Sequence, residues 1–475
     1  MKHKIVLFLA VFALFIPQSC NIDGSYEQVD RPKFVDNSFK EILERGKLVA
    51  SIDYNSTNYF IYRGGPAGYE YEMLNAYANY IGVDLELLVN DDFEAAVAAL
   101  NEGKADLIAM GLTINSDRNT VVDFTKPTGQ TRQVLVQRKP QNWRRMASME
   151  KIDESLIRNP LDLAGKVVYI PRHSSFAQRL RNLQHEMGDS ITIVEFPQTS
   201  ERLIEMVAKG EIEYTVSDEH IALVNQKYFT DIDVNTPISF PQHLAWAVAK
   251  SSDSLKQNIN QWIYEFYDTK IARFIYNKYF INPRSLQYAH KYYSIRSGKI
   301  SNWDELLKEK SKDLAWDWRL VASVVYQESR FEPQAISWMG AFGLMQLMPG
   351  TAEMYGVDSM SPPEDNLTAG ISYLKSLDHR FEDIVEDKEQ RKKFVLAAYN
   401  VGIAHVFDAR RLAEKYGRNP NIWEDNVDFF LLNKSDPKYY NDSVVYYGYC
   451  RGEETYKYVN DILYRYEHYL NVIED

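Results

Sequence analysis

A single acidic residue follows an apolar stripe in the second half of the sequence. The stripe recurs at spacings of 4, 3 and 4 residues, which predicts an amphipathic helix: Leu314, Trp318, Val321 and Val325. Glu328 comes three residues later on the same face, and Pro333 predicts that the helix ends before it. Burial and the negative end of the helix dipole would both raise the pKa of this carboxyl. The pattern predicts a general acid, although an acidic residue turned to solvent at a frayed helix end would have the same spacing.

Length and charge limit the classes of protein to which this chain can belong. Its 475 residues suit about three globular units. With 54 Lys and Arg against 66 Asp and Glu, the net charge is −12, and no long basic block occurs, which argues against nucleic acid as a partner. Aromatic residues are abundant, with 33 Tyr, 22 Phe and 8 Trp, and they are candidates for stacking on sugars.

The first 20 residues predict export. Lys2 and Lys4 precede an apolar run from Ile5 to Ile16, which is too short to cross a bilayer core of about 30 Å. The run ends at Pro17-Gln-Ser-Cys20, which resembles the lipobox of bacterial lipoproteins and implies lipidation of Cys20. Cleavage that discards Cys20 or leaves it free is the alternative. Residues 21–36 are polar and aperiodic, as expected for a tether between an anchor and a folded body.

Short β-rich runs alternate with helical stretches from residue 40 to about residue 283, which predicts an α/β architecture with largely parallel sheets. One pattern occurs twice: a helix, a glycine stop and a strand, with the stops at Gly103 and Gly210. Two lobes of similar construction explain this repeat. We expect the chain to cross between the lobes near Gln137 and to return near His243. The strands are predicted at 48–52, 84–89, 106–110, 134–137, 167–170, 191–196 and 214–217.

Segment 111–127, GLTINSDRNTVVDFTKP, resembles the family 3 extracellular solute-binding proteins, as do GYEYEML at 68–74 and VSDE at 216–219. The resemblance implies that Arg118 binds a ligand carboxylate, that Ser174 or Ser175 lies at a helix start that adds N–H donors, and that Asp218 binds a ligand amine. The alternatives are a surface ion pair for Arg118 and ordinary helix caps for the other three residues. The implied effector is a muropeptide or an amino acid.

The segments around Glu328 resemble family 1 lytic transglycosylases, which have a lysozyme-like fold. Four segments occur in order: ES at 328–329, SWMGAFGLMQLMPGTA at 337–352, AAYNVG at 397–402 and ETYKYV at 454–459. A solute-binding module joined to such a domain resembles the membrane-bound lytic murein transglycosylase F family. Helical periodicity also replaces the β-rich runs beyond residue 300, in agreement with a mainly α domain.

The resemblance implies cleavage of the β-1,4 bond between N-acetylmuramic acid and N-acetylglucosamine in peptidoglycan, without water. Glu328 would act first as the acid and then as the base, and the product would be a 1,6-anhydro sugar. Five residues are implied to bind or position the substrate: Ser337, Met345, Gln346, Tyr399 and Tyr458. No metal and no cofactor are expected, because the sequence has neither a His/Cys cluster nor a Gly-rich phosphate loop.

These inferences predict a multidomain chain: an α/β two-lobed module like the periplasmic binding proteins, then a mainly α lysozyme-like domain. The expected boundaries are a signal peptide at 1–20, a tether at 21–36, the module at 37–285 and the transglycosylase domain at 286–475. Lobe 1 spans about 37–137 and 244–285, and lobe 2 spans about 138–243. The expected location is the cell envelope, with a lipid anchor in the outer membrane. Two alternatives remain: a lysozyme-type hydrolase, and a non-catalytic lipoprotein that binds muropeptides or amino acids.

Overall fold

The computed structural model describes residues 36, 38–90, 92–146, 148–172, 174–281 and 298–473. The predicted signal peptide with Cys20, the expected tether apart from residue 36, and the expected boundary near residue 285 lie outside these residues. The strands are β1 Lys47–Ile52, β2 Phe60–Tyr62, β3 Gly65–Ala67, β4 Asp84–Val89, β5 Leu107–Thr113, β6 Asp123–Phe124, β7 Gly129–Thr131, β8 Gln133–Arg138, β9 Val167–Pro171, β10 Thr192–Phe196, β11 Tyr214–Asp218, β12 Ile232–Pro237 and β13 Gln242–Val248.

Helices lie between these strands and make up the last third of the chain. The first group is α1 Ser38–Arg45, α2 Tyr69–Ile81, α3 Phe93–Asn101, α4 Arg118–Val121, α5 Met149–Glu154, α6 Phe176–Met187, α7 Ser200–Lys209, α8 Glu219–Gln226, α9 Asp253–Phe266 and α10 Lys270–Tyr276. The second group is α11 Asp304–Leu314, α12 Trp318–Ser329, α13 Pro349–Met354, α14 Pro363–Glu382, α15 Lys388–Val401, α16 Ile403–Lys415, α17 Asp428–Leu432, α18 Pro437–Tyr440 and α19 Gly452–Val472. The predicted architecture, an α/β module followed by a mainly α domain, is confirmed.

Two sheets form two lobes in the α/β part. The first sheet has the order β4-β1-β5-β13-β6, with β7 paired to β13, and the second has the order β10-β9-β11-β8-β12. Both sheets are mixed, because β13 runs antiparallel to β5 and β8 runs antiparallel to β11. This differs from the expectation of largely parallel sheets. These two strands, β8 and β13, are the ones that directly follow the connections between the lobes.

The crossing between the lobes lies earlier than the sequence suggested. β7 pairs in the first sheet and β8 in the second, so the chain crosses at Arg132, five residues before Gln137. The return falls between Pro237, at the end of β12, and Gln242, at the start of β13, close to the expected His243. The strand Gln133–Arg138 therefore belongs to lobe 2, because its edges pair with β11 and β12.

Local sequence accounts for the repeated helix–glycine–strand units. Asp92 caps α3 by accepting a hydrogen bond from the Ala95 N–H at 2.8 Å, and Gly103 follows with φ 69°. Thr199 caps α7, and Gly210 follows with φ 78°. A left-handed backbone of this kind is easy for glycine and strained for other residues, so both helices end at the predicted positions.

Helices α12 and α19 hold the helical domain against lobe 1. The Tyr59 hydroxyl of lobe 1 lies 2.7 Å from Nδ1 of His468, and the Tyr469 hydroxyl donates to the Gly64 carbonyl. Gly64 has φ 80°, and a Cβ atom there would lie 2.6 Å from Phe331 and 2.7 Å from Tyr326. The tight turn between β2 and β3 therefore fits against the end of α12 only with glycine at this position.

A continuous apolar core passes from lobe 1 into the helical domain. It includes Trp246 and Trp262 of lobe 1 together with Val325 of α12 and Phe394 of α15. Lobe 2 has separate apolar clusters around Leu180 and Leu203. Lobe 1 and the helical domain thus share one interior, and lobe 2 has its own.

Candidate functional site

Glu328 is the penultimate residue of α12, where the expected apolar stripe ends. Val325 and Val321, one and two turns earlier, are fully buried, whereas Glu328 is partly exposed. Arg330 follows with φ 53° and ends the helix. Burial of the carboxyl raises the pKa of Glu328 to about 7, and a hydrogen bond from the Tyr458 hydroxyl, at 2.5 Å from Oε1, opposes that rise. The carboxyl thus exchanges its proton near neutral pH.

Tyr458 reaches Glu328 from α19, which packs along α12. The pKa of Tyr458 lies well above its usual value, first because its hydroxyl is buried and second because it lies close to the Glu328 carboxyl. Farther along α19, the Arg465 guanidinium donates to Oε1 of Gln327 at 2.9 Å and to the Ser323 carbonyl at 3.2 Å. Two residues of one helix therefore fix the end of α12 from the same side.

A loop before α13 is fastened to the end of α12. The Ser329 hydroxyl donates to the Leu344 carbonyl at 2.8 Å, so the residue after Glu328 holds the loop directly. Gln346 has φ 45°, and its Nε2 donates to the carbonyls of Ala335 and Gly343, both at 2.9 Å. The Gln346 amide therefore stabilises the loop in this structure.

Tyr399 and Met345 meet at the main chain of the same loop. The Tyr399 hydroxyl donates to the Met345 carbonyl at 2.7 Å, and its pKa is raised well above its usual value by burial and by the nearby Glu328. The Met345 side chain is fully buried, and a Cβ atom at Gly370 of α14 would overlap it. The sequence suggested that Met345 lines a cleft. In the structure it contributes its carbonyl, because its side chain fills the core beside a helical glycine.

Ser337 begins a tight turn next to this loop. Its N–H donates to the Ala341 carbonyl at 2.8 Å, and its hydroxyl accepts from the Ala341 N–H at 3.0 Å. The bridge between Ile336 and Phe342 closes the turn. Glu328, Gln346, Tyr399 and Tyr458 are thus connected by direct contacts or through this loop, and Ser337 lies on the adjoining turn.

Two residues that hold this site were not singled out from the sequence. Asn366 of α14 accepts from the Met345 N–H at 2.9 Å and donates to the Phe342 carbonyl at 3.1 Å. Arg465 lies two helical turns beyond Tyr458, so the same-face spacing of 7 residues on a predicted helix was the available signal. No comparable signal marks Asn366, because its partners are main-chain atoms of a distant segment.

The expected ligand residues of the α/β module line one small cavity together. A cavity of about 170 Å³ between the lobes is lined by Arg118, Ser174, Ser175 and Asp218, and also by Asp53. Ser174 and Ser175 precede α6, where Ser175 is the cap residue but its side chain makes no capping hydrogen bond. The structure therefore brings the four predicted residues together from both lobes.

The cavity contains a cation and a buried acid. Arg118 donates to the Thr113 carbonyl and to its hydroxyl, both at 3.1 Å, and its guanidinium carbon lies 4.9 Å from the centre of the Phe93 ring. Burial raises the pKa of Asp218 to about 7, and Arg118 opposes that rise. Among the described residues no hydrogen-bond donor reaches Oδ1 of Asp218. An ammonium group in the cavity would supply this missing donor.

One loop of lobe 1 joins the cavity to the helical domain. Asp53 and Asn55 line the cavity, and Ser56 donates to Oε1 of Glu201 in lobe 2 through its N–H at 2.9 Å and its hydroxyl at 3.1 Å. Strand β2 follows four residues later and leads to the turn at Gly64, which packs against Tyr326 of α12. The loop thus contacts lobe 2 at one end and the helix of Glu328 at the other.

The described residues contain neither a metal cluster nor a helix that could cross a bilayer. No group of three or more His, Cys, Asp or Glu side chains in this part of the chain is arranged to hold a metal ion. None of the helices in the same residues is long and apolar enough to span a membrane.

Two family models match the chain in the order that the fold suggests. Residues 47–282 match the bacterial extracellular solute-binding proteins, family 3, and residues 305–422 match the transglycosylase SLT domain. The "Membrane-bound lytic murein transglycosylase F" of Desulfosudis oleivorans is 36% identical over 432 residues, which cover 90% of this chain and 91% of that protein. The chain belongs to the membrane-bound lytic murein transglycosylase F family. Members of this family are enzymes of the lytic transglycosylase class, as predicted from the sequence.

Other relatives and solved structures are also similar to parts of the chain. A "Membrane-bound lytic murein transglycosylase F 1" of Alkalilimnicola ehrlichii is 32% identical and covers 90% of this chain and 84% of its own length. A mutant ArgBP of T. maritima matches 51% of this chain and 99% of its own, with 22% identity and a TM-score of 0.43. A substrate-binding protein of Streptococcus pneumoniae matches 52% of this chain and 96% of its own, with 19% identity and a TM-score of 0.45.

Proposed function

We propose that the chain cleaves the β-1,4 bond between N-acetylmuramic acid and N-acetylglucosamine in peptidoglycan, with Glu328 as the only general acid and base. The observation that carries the proposal is the state of that carboxyl: its pKa is about 7, and one oxygen accepts a short hydrogen bond from Tyr458. A group with such a pKa can give a proton and take one back at neutral pH, as a two-step reaction through one residue requires.

In the first step, the Glu328 carboxyl gives its proton to the glycosidic oxygen while the bond from that oxygen to C1 of the muramoyl sugar breaks. The carbonyl oxygen of the substrate's own N-acetyl group stabilises the positive C1. In the second step, the Glu328 carboxylate removes the proton of the C6 hydroxyl, and O6 bonds to C1. The product is a 1,6-anhydro sugar, no water is consumed, and Glu328 ends in its protonated form.

The neighbours of Glu328 have distinct roles in this proposal. Tyr458 stabilises the carboxylate between the two steps through its hydrogen bond. Ser337 would hold the sugar with its hydroxyl and Gln346 with its amide oxygen, since the Gln346 Nε2 donates to loop carbonyls, and Tyr399 would place its hydroxyl near the reacting centre. Met345 supports Tyr399 through its carbonyl, since its side chain is buried.

Mass spectrometry of the sugars released from purified peptidoglycan tests the reaction. We expect muramoyl products that lack one water, and products with only reducing ends would favour the lysozyme-type hydrolase. Glu328→Gln should abolish release of these products. Glu332→Gln is the matched control, because Glu332 is an exposed acid four residues farther along the chain. Equal activity of the Glu328→Gln variant and the wild type would exclude the assigned acid and base. Absence of product release by the wild type would favour a non-catalytic binding protein.

We further propose that a cell-wall peptide or an amino acid binds between the lobes and regulates turnover. Arg118 would bind its carboxylate, Asp218 its ammonium group, and Ser174 and Ser175 would add donors before α6. The buried Oδ1 of Asp218, which lacks a donor among the described residues, supports this assignment. The path from Ser56 to the Gly64 turn supports regulation, because closure of lobe 2 would pull on the loop that packs against α12.

Calorimetry with stem peptides and with single amino acids tests ligand binding. Asp218→Asn should weaken the binding of an amine-bearing ligand, whereas Asp189→Asn, at an exposed acid of lobe 2, should not. Turnover of peptidoglycan is then measured with and without the ligand that binds. Either an absence of binding by both ligand classes or unchanged turnover with the ligand bound would exclude the regulatory proposal.

We also propose the division of the chain into domains. The module would span 37–285, and the transglycosylase domain would span 286–475. Within the module, the chain would pass from lobe 1 to lobe 2 at Arg132 and return to lobe 1 between Pro237 and Gln242, as the pairing of the strands on either side supports.

We also propose that the mature chain is a lipoprotein of the outer membrane that faces the periplasm. The lipobox-like sequence before Cys20 and the polar stretch of 21–36 support an anchor followed by a tether. Mass spectrometry of the mature N-terminal peptide tests lipidation, and a peptide that is unmodified at Cys20, or that lacks Cys20, would exclude it.

A further inference from the structure

Trp338 is almost completely exposed on a turn whose backbone is held in place. Its exposed fraction is 90%, and its neighbours Ile336 and Met339 are exposed by 74% and 58%. The Gly340 N–H donates to the Ser337 carbonyl at 2.9 Å, and Gly340 has φ 85°, so Trp338 and Met339 occupy the centre of a closed turn. Tryptophan is largely buried in most proteins, and an ordered turn that displays one to solvent indicates a binding partner.

The turn is continuous with the site around Glu328. Ser337, a candidate substrate residue, directly precedes Trp338, and Gln346 holds the carbonyl of Ala335 at the base of the turn. Ser329 holds the other end of the same loop at Leu344, next to Glu328. The same loop is therefore held next to Glu328 at one end and at the base of the Trp338 turn at the other.

The chemistry of the turn favours a neutral partner with flat apolar faces. No Asp, Glu, Lys or Arg occurs from residue 333 to residue 352. An anionic lipid surface would be expected to meet Lys or Arg side chains, which this segment lacks. The C–H face of a pyranose ring matches an indole face, since both are flat and apolar and keep their polar groups at the edge.

We propose that Trp338 is a sugar platform on which peptidoglycan glycan strands stack outside the bond that is cut. Met339 and Ile336 widen its apolar surface. This inference rests on the proposed function for its substrate. It assigns to Trp338 a role in binding polymeric substrate and in specificity for long strands, and it gives Trp338 no part in the proton transfers.

The test measures binding to glycan strands without cleavage. Trp338→Ala, Trp338→Gln and Trp338→Phe are made in full-length protein that also carries Glu328→Gln, and pelleting with insoluble peptidoglycan gives the affinity. Ala and Gln should weaken binding about tenfold, equivalent to about 1.4 kcal/mol, and Phe should keep most of it. Phe240→Ala is the matched control, because Phe240, in the segment that returns from lobe 2 to lobe 1, is 87% exposed and should leave binding unchanged.

Kinetic measurements on variants that keep Glu328 distinguish a role of Trp338 in binding the substrate from a role in the proposed reaction. Trp338→Ala should raise KM for polymeric peptidoglycan about tenfold and leave kcat unchanged. Wild-type affinity in both Trp338→Ala and Trp338→Gln would overturn the platform. Loss of vesicle binding or of self-association in these variants, without loss of glycan affinity, would also overturn it. Failure of the Glu328 proposal has a different signature, since the Glu328→Gln protein would then still release products.

Discussion

Replacement of Tyr458 by Phe removes a hydrogen bond that favours the charged form of Glu328. The distance of 2.5 Å from the Tyr458 hydroxyl to Oε1 is that of a charge-assisted hydrogen bond. Such bonds contribute about 1.5 to 3 kcal/mol, and one pKa unit corresponds to about 1.36 kcal/mol. The hydroxyl also bonds to the neutral carboxyl, although less strongly, so the net loss lies at the lower end. The Glu328 pKa should therefore rise by about one unit, from about 7.

The predicted consequence is a shift of the pH–rate profile. Glu328 must be protonated for the first step, so kcat/KM of the wild type should fall as pH rises through about 7. In Tyr458→Phe this fall in kcat/KM should occur at a pH about one unit higher, even if the maximum rate is lower.

The assay measures kcat/KM for release of soluble sugars from peptidoglycan between about pH 5 and about pH 9. Tyr446→Phe serves as the control, because the Tyr446 side chain is 72% exposed and its replacement should leave this fall at the wild-type pH. A fall that stays at the wild-type pH in Tyr458→Phe, or moves to lower pH, would refute the assignment of this fall to Glu328.

Three further predictions concern stability. The pKa of Glu328 in the folded protein exceeds its ordinary value of 4.5, so its contribution to the free energy of unfolding is present below pH 4.5 and is lost as pH rises to about 7. Glu328→Gln should therefore be about 3 kcal/mol more stable than the wild type at about pH 8. The two proteins should be equally stable near pH 4, as measured by urea unfolding. Lys434→Met leaves the buried Asp408, 2.6 Å from Nζ, without its buried cation, and should cost about 3 kcal/mol in the same assay. Gly452→Ala places a Cβ atom where it overlaps the Leu431 carbonyl oxygen and should also cost about 3 kcal/mol, seen as a lower Tm; a Tm equal to that of the wild type would contradict the contact.

Local periodicity was sufficient to predict the parts of the chain that depend on neighbours in sequence. The two helices stopped by Gly103 and Gly210 lie where the pattern predicts them, and α12 ends before Pro333 as expected. The prediction of one helix from Leu314 to Glu328 is wrong, because α11 ends at Leu314 and α12 begins at Trp318. The predicted strands also match, with shifts of at most a few residues at their ends. These elements satisfy their main-chain hydrogen bonds and their apolar faces at short range, so the sequence carries their signal directly.

The remaining features depend on contacts between distant segments. The crossing at Arg132 follows from the pairing of β7 with β13 and of β8 with β11, which no local pattern encodes. Met345 lies in a motif typical of a substrate cleft, yet Gly370 leaves room for its side chain in the core. Arg465 gains its role only when α19 packs along α12. In each case a partner remote in sequence decides the position of the residue.

The apolar core that lobe 1 shares with the helical domain limits how this chain could have been assembled and how it can be divided. A cut between the two parts would expose both halves of one interior, so neither half is expected to fold as a free-standing unit with its present surface. Lobe 2, with its own clusters, could be exchanged or deleted at far lower cost. Among proteins that share this architecture, sequence substitutions should therefore accumulate in lobe 2. Substitutions in the core of lobe 1 and in that of the helical domain should instead occur together.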